Sequence, residues 1–155
     1  VPFRKFCDEG NMVCHFLQHF YDDLILHEIS CFEKALPICA AFKNCVVSHA
    51  EPATFFTREE LINYHKTGSY ATFALTWTAN DAARDGTVAH LFNELLPQEE
   101  RAHAFYFAGH RPVLGKYALR QGGRFVQIHN PDVEQVALVL PNQKFDPETG
   151  IIEVQ

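Results

Sequence analysis

The hydrophobic period changes midway along this chain, and that change constrains the fold more than any other feature. From Met12 to about Ile29, apolar residues recur at near-helical spacing: Val13, Phe16, Leu17, Phe20 and Leu24. Gly10 and Asn11 stand just upstream as a helix start. A second helix is expected over residues 31–42, with Pro37 as a kink or break. Thr57, followed by Arg58, Glu59 and Glu60, makes a capping box ahead of Leu61, Ile62 and Tyr64. That helix is expected to stop at Gly68. A further helix fits residues 87–96, ended by Pro97, while residues 69–77 fit strand or helix. Beyond Pro97 the pattern turns strand-like, over residues 103–108, 116–119, 124–129 and 135–140. Turn signals separate these runs: Gly109 to Pro112, Gly122 and Gly123, Asn130-Pro131-Asp132, and Pro141-Asn142. Helices first and strands second predict an α+β domain, with a helical layer over residues 1–97 packed on a curled antiparallel sheet over residues 102–155.

Composition fits that reading. A length of 155 residues suits one domain with a core of its own, and 47% hydrophobic against 21% charged residues is ordinary globular composition. No apolar run approaches the length of a membrane span. A formal charge of −6, with no basic stripe, argues against a nucleic-acid partner. The chain begins at Val1, which suggests a processed or trimmed product, with any upstream targeting segment outside it.

Five cysteines, Cys7, Cys14, Cys31, Cys39 and Cys45, crowd into the first third. Their number is odd and their spacing matches no common zinc or disulfide framework, so they read as reduced thiols, mostly in the core. Cys14 lies at the expected start of a helix, where the partial positive charge of the helix end favours thiolate. His103 heads the first expected strand and Asn130 ends a later one, just before Pro131. A thiolate that attacks an acyl carbon, an imidazole that holds and returns the proton, and an amide that orients the imidazole are three distinct roles on three elements. Each has a structural alternative. Cys14 can be a core thiol, with Cys7 as its nearest competitor. His103 can be a strand-end histidine, with His110 as a replacement. Asn130 can be a plain turn-former, flanked by His129 and Asp132.

The order and context of these residues resemble the papain-like cysteine peptidases. The matching pieces are Gly10-Asn-Met-Val-Cys14, Arg101-Ala-His103-Ala-Phe-Tyr-Phe, and Arg124-Phe-Val-Gln-Ile-His-Asn130-Pro. The last two resemble the calpain-type and bacterial-effector branches. The resemblance implies a compact papain-like fold, with Cys14 as nucleophile, His103 as general acid and base, and Asn130 as orienter. It implies acyl transfer on a protein or peptide substrate, by peptide or isopeptide cleavage, glutamine deamidation or transfer to an amine, with no cofactor. It also implies a secreted bacterial effector or toxin acting in a reducing cytosol. Asp8 stands where the family usually carries glutamine, so Asn11 and the Cys14 backbone N–H form the expected oxyanion hole. Asp146, in a Phe-Asp-Pro-x-x-Gly ending like that of some effector peptidases, competes with Asn130.

Two other readings come from the residues alone. One is a non-catalytic α+β interaction domain with structural cysteines. The other is a metal site on His15 and His19, four apart on one helix face, with Cys14, His27 or Glu28 as a third ligand. The general base of a zinc-peptidase helix is missing there.

Overall fold

The computed structural model describes residues 9–66, 68–140 and 143–154. The chain divides into two compact units, Val1–Pro37 and Ile38–Gln155. Cys7, Asp8 and the Pro141-Asn142 turn lie outside the described residues.

The first unit holds two helices, α1 (Glu9–Phe20) and α2 (Asp23–Ala35). The continuous apolar period predicts one helix across this stretch, but Asp22 breaks it. Asp22 has an extended backbone, and its carboxylate accepts the N–H of Ile25 at 2.9 Å, as an N-cap does. The helix expected over residues 31–42 is not formed. Cys31 to Ala35 close α2, Leu36 and Pro37 leave it, and the rest becomes strand. No residue of α2 is buried, and Phe16, Phe20, Leu24 and Phe32 are exposed.

The second unit is α+β, built on a five-stranded mixed sheet in the order β1-β2-β3-β5-β4. Its strands are β1 (Cys39–Phe42), β2 (Cys45–Ser48), β3 (Phe105–Ala108), β4 (Ala118–Arg120) and β5 (Phe125–Gln127). The sheet is therefore not the purely antiparallel one expected from the second half. A hairpin from the first half, β1-β2, joins it, turning through Lys43 at φ 49°. β2 pairs parallel with β3, and β3 parallel with β5. The β2–β3 connection carries α3 (Arg58–Ile62), a 3-10 turn (Tyr64–Lys66), α4 (Tyr70–Thr76), α5 (Thr87–Leu95) and α6 (Gln98–Arg101). A crossover of that kind is what parallel neighbours require. A separate ribbon pairs β6 (Gln135–Ala137) with β7 (Ile151–Glu153), and α7 (Pro147–Gly150) leads into β7.

Local chemistry explains the helices. Thr57 accepts the N–H of Glu60, and the Glu60 carboxylate accepts the N–H of Thr57 at 2.8 Å, closing the expected capping box. α3 nevertheless ends at Ile62, well short of Gly68. The open segment 69–77 is resolved as α4, which buries Ala71, Ala74 and Leu75. α5 buries Thr87, Val88, Leu91 and Phe92, two adjacent pairs one turn apart. Ala71, Ala74 and Leu75 of α4 and Val88, Leu91 and Phe92 of α5 share one core with Val46, Tyr106 and Phe125 of the sheet. A smaller cluster joins Phe107, Val126, Phe145 and Ile151 beneath the ribbon.

Candidate metal centre

The parallel register places the C-terminal ends of β2, β3 and β5 side by side. Tyr106 pairs with both Val46 and Phe125, so Ser48, Ala108 and Gln127 finish at one edge. Each strand then delivers a histidine: His49 directly after β2, His110 two residues after β3, and His129 two after β5. This edge, where parallel strands end, is where open α/β sheets bind ligands.

His49 and His110 meet there. Nε2 of His49 lies 3.0 Å from Nδ1 of His110, although the residues are 61 apart in sequence. The strand ends are tied together below them. The Gly109 N–H donates to the His49 carbonyl at 3.1 Å. Tyr106, fully buried, donates its hydroxyl to Ser48 Oγ at 2.7 Å, and Ser48 Oγ donates to the Ala50 carbonyl at 2.5 Å. Burial pushes the Tyr106 phenol well above its usual range, so it stays a donor. His110 sits at φ 61°, and the Arg111 N–H donates to the Gly109 carbonyl at 2.7 Å. That is a γ-turn with a non-glycine residue in the left-handed region, a conformation that persists only where its surroundings impose it. Trp77, just past α4, sets its ring edge-on to His110, with centroids 5.6 Å apart. His49 is exposed and His110 half-buried, so solvent reaches the pair. A cavity of about 930 Å³ opens at the same edge, lined by Ser48, Gly109, His129, Asn130 and Asp132 among others, but by neither His49 nor His110.

Two imidazole nitrogens at this separation share either one proton or one cation. A metal ion about 2.1 Å from each would see them at about 90°, a normal angle between neighbouring ligands. Among the described residues no three His, Cys, Asp or Glu side chains converge. Neither His15 and His19 nor His49 and His110 therefore gain a third ligand of these types, and His27 instead pairs along α2 with Cys31, Nε2 to Sγ 3.4 Å.

The residues expected to form a thiol site are placed differently. Cys14 is exposed in the second turn of α1, not at its first residues, and the influence of the helix end fades beyond the first turn. It belongs to the first unit, as does Asn11, while His103 and Asn130 belong to the second. His103 is an exposed turn residue, two before β3, with its N–H on the Glu100 carbonyl. Asn130 lies beyond the far end of β5. Because β3 and β5 run parallel, His103 and Asn130 fall at opposite ends of the sheet, and the structure does not bring them together. Asn130 spends its amide on a turn: Nδ2 donates to the Gly115 carbonyl at 3.0 Å, and Oδ1 accepts the Asp132 N–H at 2.9 Å. Asp146 caps α7, accepting the Glu148 N–H at 3.1 Å. Cys39 and Cys45 are half-buried, and burial pushes both thiols up, Cys45 to about 11.

Sequence reasoning named His110 only as a substitute for His103 and passed over His49. The signal was present as a repeated phrase: an apolar strand, a small residue, then histidine, in Val46-Val-Ser-His49 and in Phe107-Ala-Gly-His110. No helix among the described residues is long and apolar enough to cross a membrane. No protein-family model, curated protein or solved structure matches this chain.

Proposed function

We propose that the second unit carries a metal-dependent hydrolytic site in which His49 Nε2 and His110 Nδ1 hold one divalent transition-metal ion, and that its substrate is an anionic ester such as a phosphate monoester. The observation that carries this reading is the 3.0 Å approach of the two ring nitrogens at the C-terminal edge of parallel strands. Imidazole nitrogen suits zinc, copper, iron or nickel, not calcium, magnesium or manganese. Such an ion supplies Lewis-acid polarisation of the ester and of water. Two imidazoles are neutral ligands, so they leave the ion's double charge uncompensated, and an anion is the natural next ligand. The left-handed turn at His110 and the Trp77 ring beside it position one ring, and the exposure of His49 leaves the pair open to solvent on that side.

The test is a titration of the full chain with Zn²⁺ and with Co²⁺ as its coloured substitute, read by calorimetry and absorbance, followed by hydrolysis of 4-nitrophenyl phosphate. One ion per chain is expected, bound more tightly with inorganic phosphate present, and lost in both His49→Ala and His110→Ala. Imidazole binds metal only when deprotonated, so binding weakens in acid. Undiminished binding in both variants refutes the proposal.

A further inference from the structure

We infer that Glu51, Arg120 and Gln127 form a buried clamp that sets the distance between His49 and His110, which makes them positioning residues of the metal site. The inference rests on the reading of the histidine pair given above.

The clamp is continuous from one histidine segment to the other. Glu51 lies two residues after His49 and is almost fully buried, as is Gln127 on β5. The Glu51 carboxylate accepts Arg120 Nε at 2.6 Å and Gln121 Nε2 at 2.9 Å. Arg120 Nη2 donates to Gln127 Oε1. Gln127 Nε2 then donates to the Arg111 carbonyl, which lies in the peptide after the one whose N–H closes the γ-turn at His110. The guanidinium also lies over the Phe125 ring, 4.8 Å from its centroid, which fixes its plane. Gln127 suits this place because its amide offers an acceptor to Arg120 and a donor to Arg111. Glutamate lacks the donor, and methionine lacks both.

An apolar residue at position 127 would fill the same volume in the core but would leave Arg120 Nη2 and the Arg111 carbonyl without this partner, so some stability is lost as well. What an apolar residue cannot do is restrain a carbonyl. The Arg111 carbonyl is the restrained one, and it adjoins the γ-turn at His110. Hydrogen bonds made directly to metal ligands are worth about 10–100-fold in affinity when removed, and this one acts one residue away, so the low end, about tenfold, is the expected effect.

The experiment compares the parent chain with Gln127→Met and, as a second variant, Arg120→Lys, which keeps the charge but loses the guanidinium fork. Far-UV circular dichroism establishes which variants fold. Co²⁺ titration reads affinity and the ligand-field spectrum, and imidazole ¹⁵N shifts read the His49–His110 pairing without metal. The expected result is an affinity loss of about tenfold or more, an altered spectrum, and disrupted histidine pairing in the metal-free variant. A folded variant with parental affinity, spectrum and pairing overturns the clamp and leaves the metal site standing. Disrupted pairing in a variant whose parent binds no Co²⁺ upholds the clamp and overturns the metal site instead. Parental pairing in that last case overturns both.

Discussion

Replacing Glu51 by alanine tests whether the clamp carries stability as well as geometry. The substitution removes two hydrogen bonds, from Arg120 Nε at 2.6 Å and from Gln121 Nε2 at 2.9 Å. A hydrogen bond between charged groups contributes about 2 kcal/mol and one to a neutral amide about 1, which sets the loss near 3 kcal/mol. Glu51 is 3% exposed and Arg120 19%, so water reaches the stranded guanidinium and recovers part of that loss. The expected cost is about 2 kcal/mol, below the 3–5 typical of a fully buried broken pair. In urea, with a slope of about 1–2 kcal/mol per molar, this moves the midpoint down by about 1–2 M. Far-UV circular dichroism follows the transition, and Arg120→Ala with the double variant completes a cycle that isolates the pair. Glu51→Gln keeps one acceptor and should lose about half as much. Salt discriminates further, since a buried pair is screened far less than an exposed one. A loss under about 0.5 kcal/mol, or one that vanishes in 1 M salt, would place this pair among ordinary surface ion pairs and refute the reasoning.

Four other outcomes are expected. Leu91 is fully buried in the main core, so Leu91→Ala should cost about 3 kcal/mol in denaturant unfolding, and a loss below about 1 would show that the cavity collapses. A Cβ at position 150 would stand 2.5 Å from Cε2 of Phe145, whose ring packs edge-on against Phe107; Gly150→Ala should therefore destabilise by about 1–3 kcal/mol, and a neutral result means the ring moves freely. Burial raises the Cys45 thiol from its ordinary 9.0 to about 11, so the fold favours the protonated form; stability is intact below pH 9 and falls as pH rises towards 11, and Cys45→Ala should flatten that slope relative to the parent. Finally, Asn130→Ala should lose about 1 kcal/mol through its two turn hydrogen bonds, while Asn130→Asp keeps the acceptor for Asp132 and loses less; a thermal melt that does not move in either variant contradicts the turn role.

Features that depend on near neighbours were legible in the sequence. The Thr57 capping box is a matter of three residues, and it formed as written. The helix over residues 87–96 followed from its apolar spacing and its Pro97 stop, and the observed α5 differs by one residue. Strands β3 to β6 lie within the strand-like runs or one residue from them. α+β was therefore readable from periodicity alone. The break at Asp22 was missed because the apolar rhythm continues across it, and a cap declares itself only through the hydrogen bond it makes. The hairpin at Lys43 was missed because it lacks the glycine that usually marks such turns.

Which strands pair, and in which direction, was decided only in three dimensions. Pairing joins residues far apart in sequence, and no local pattern separates a parallel neighbour from an antiparallel one when the runs are short. That choice decided which of the candidate side chains meet. It sent His103 and Asn130 to opposite ends of adjacent parallel strands, although their order along the chain matched the papain-like pattern. It brought His49 and His110 within 3.0 Å across 61 residues and put Glu51, Arg120 and Gln127 in one network behind them. A sequence specifies which side chains can do chemistry. The long-range hydrogen-bond register, set by burial of Val46, Tyr106 and Phe125 in one shared core, determines which of them meet.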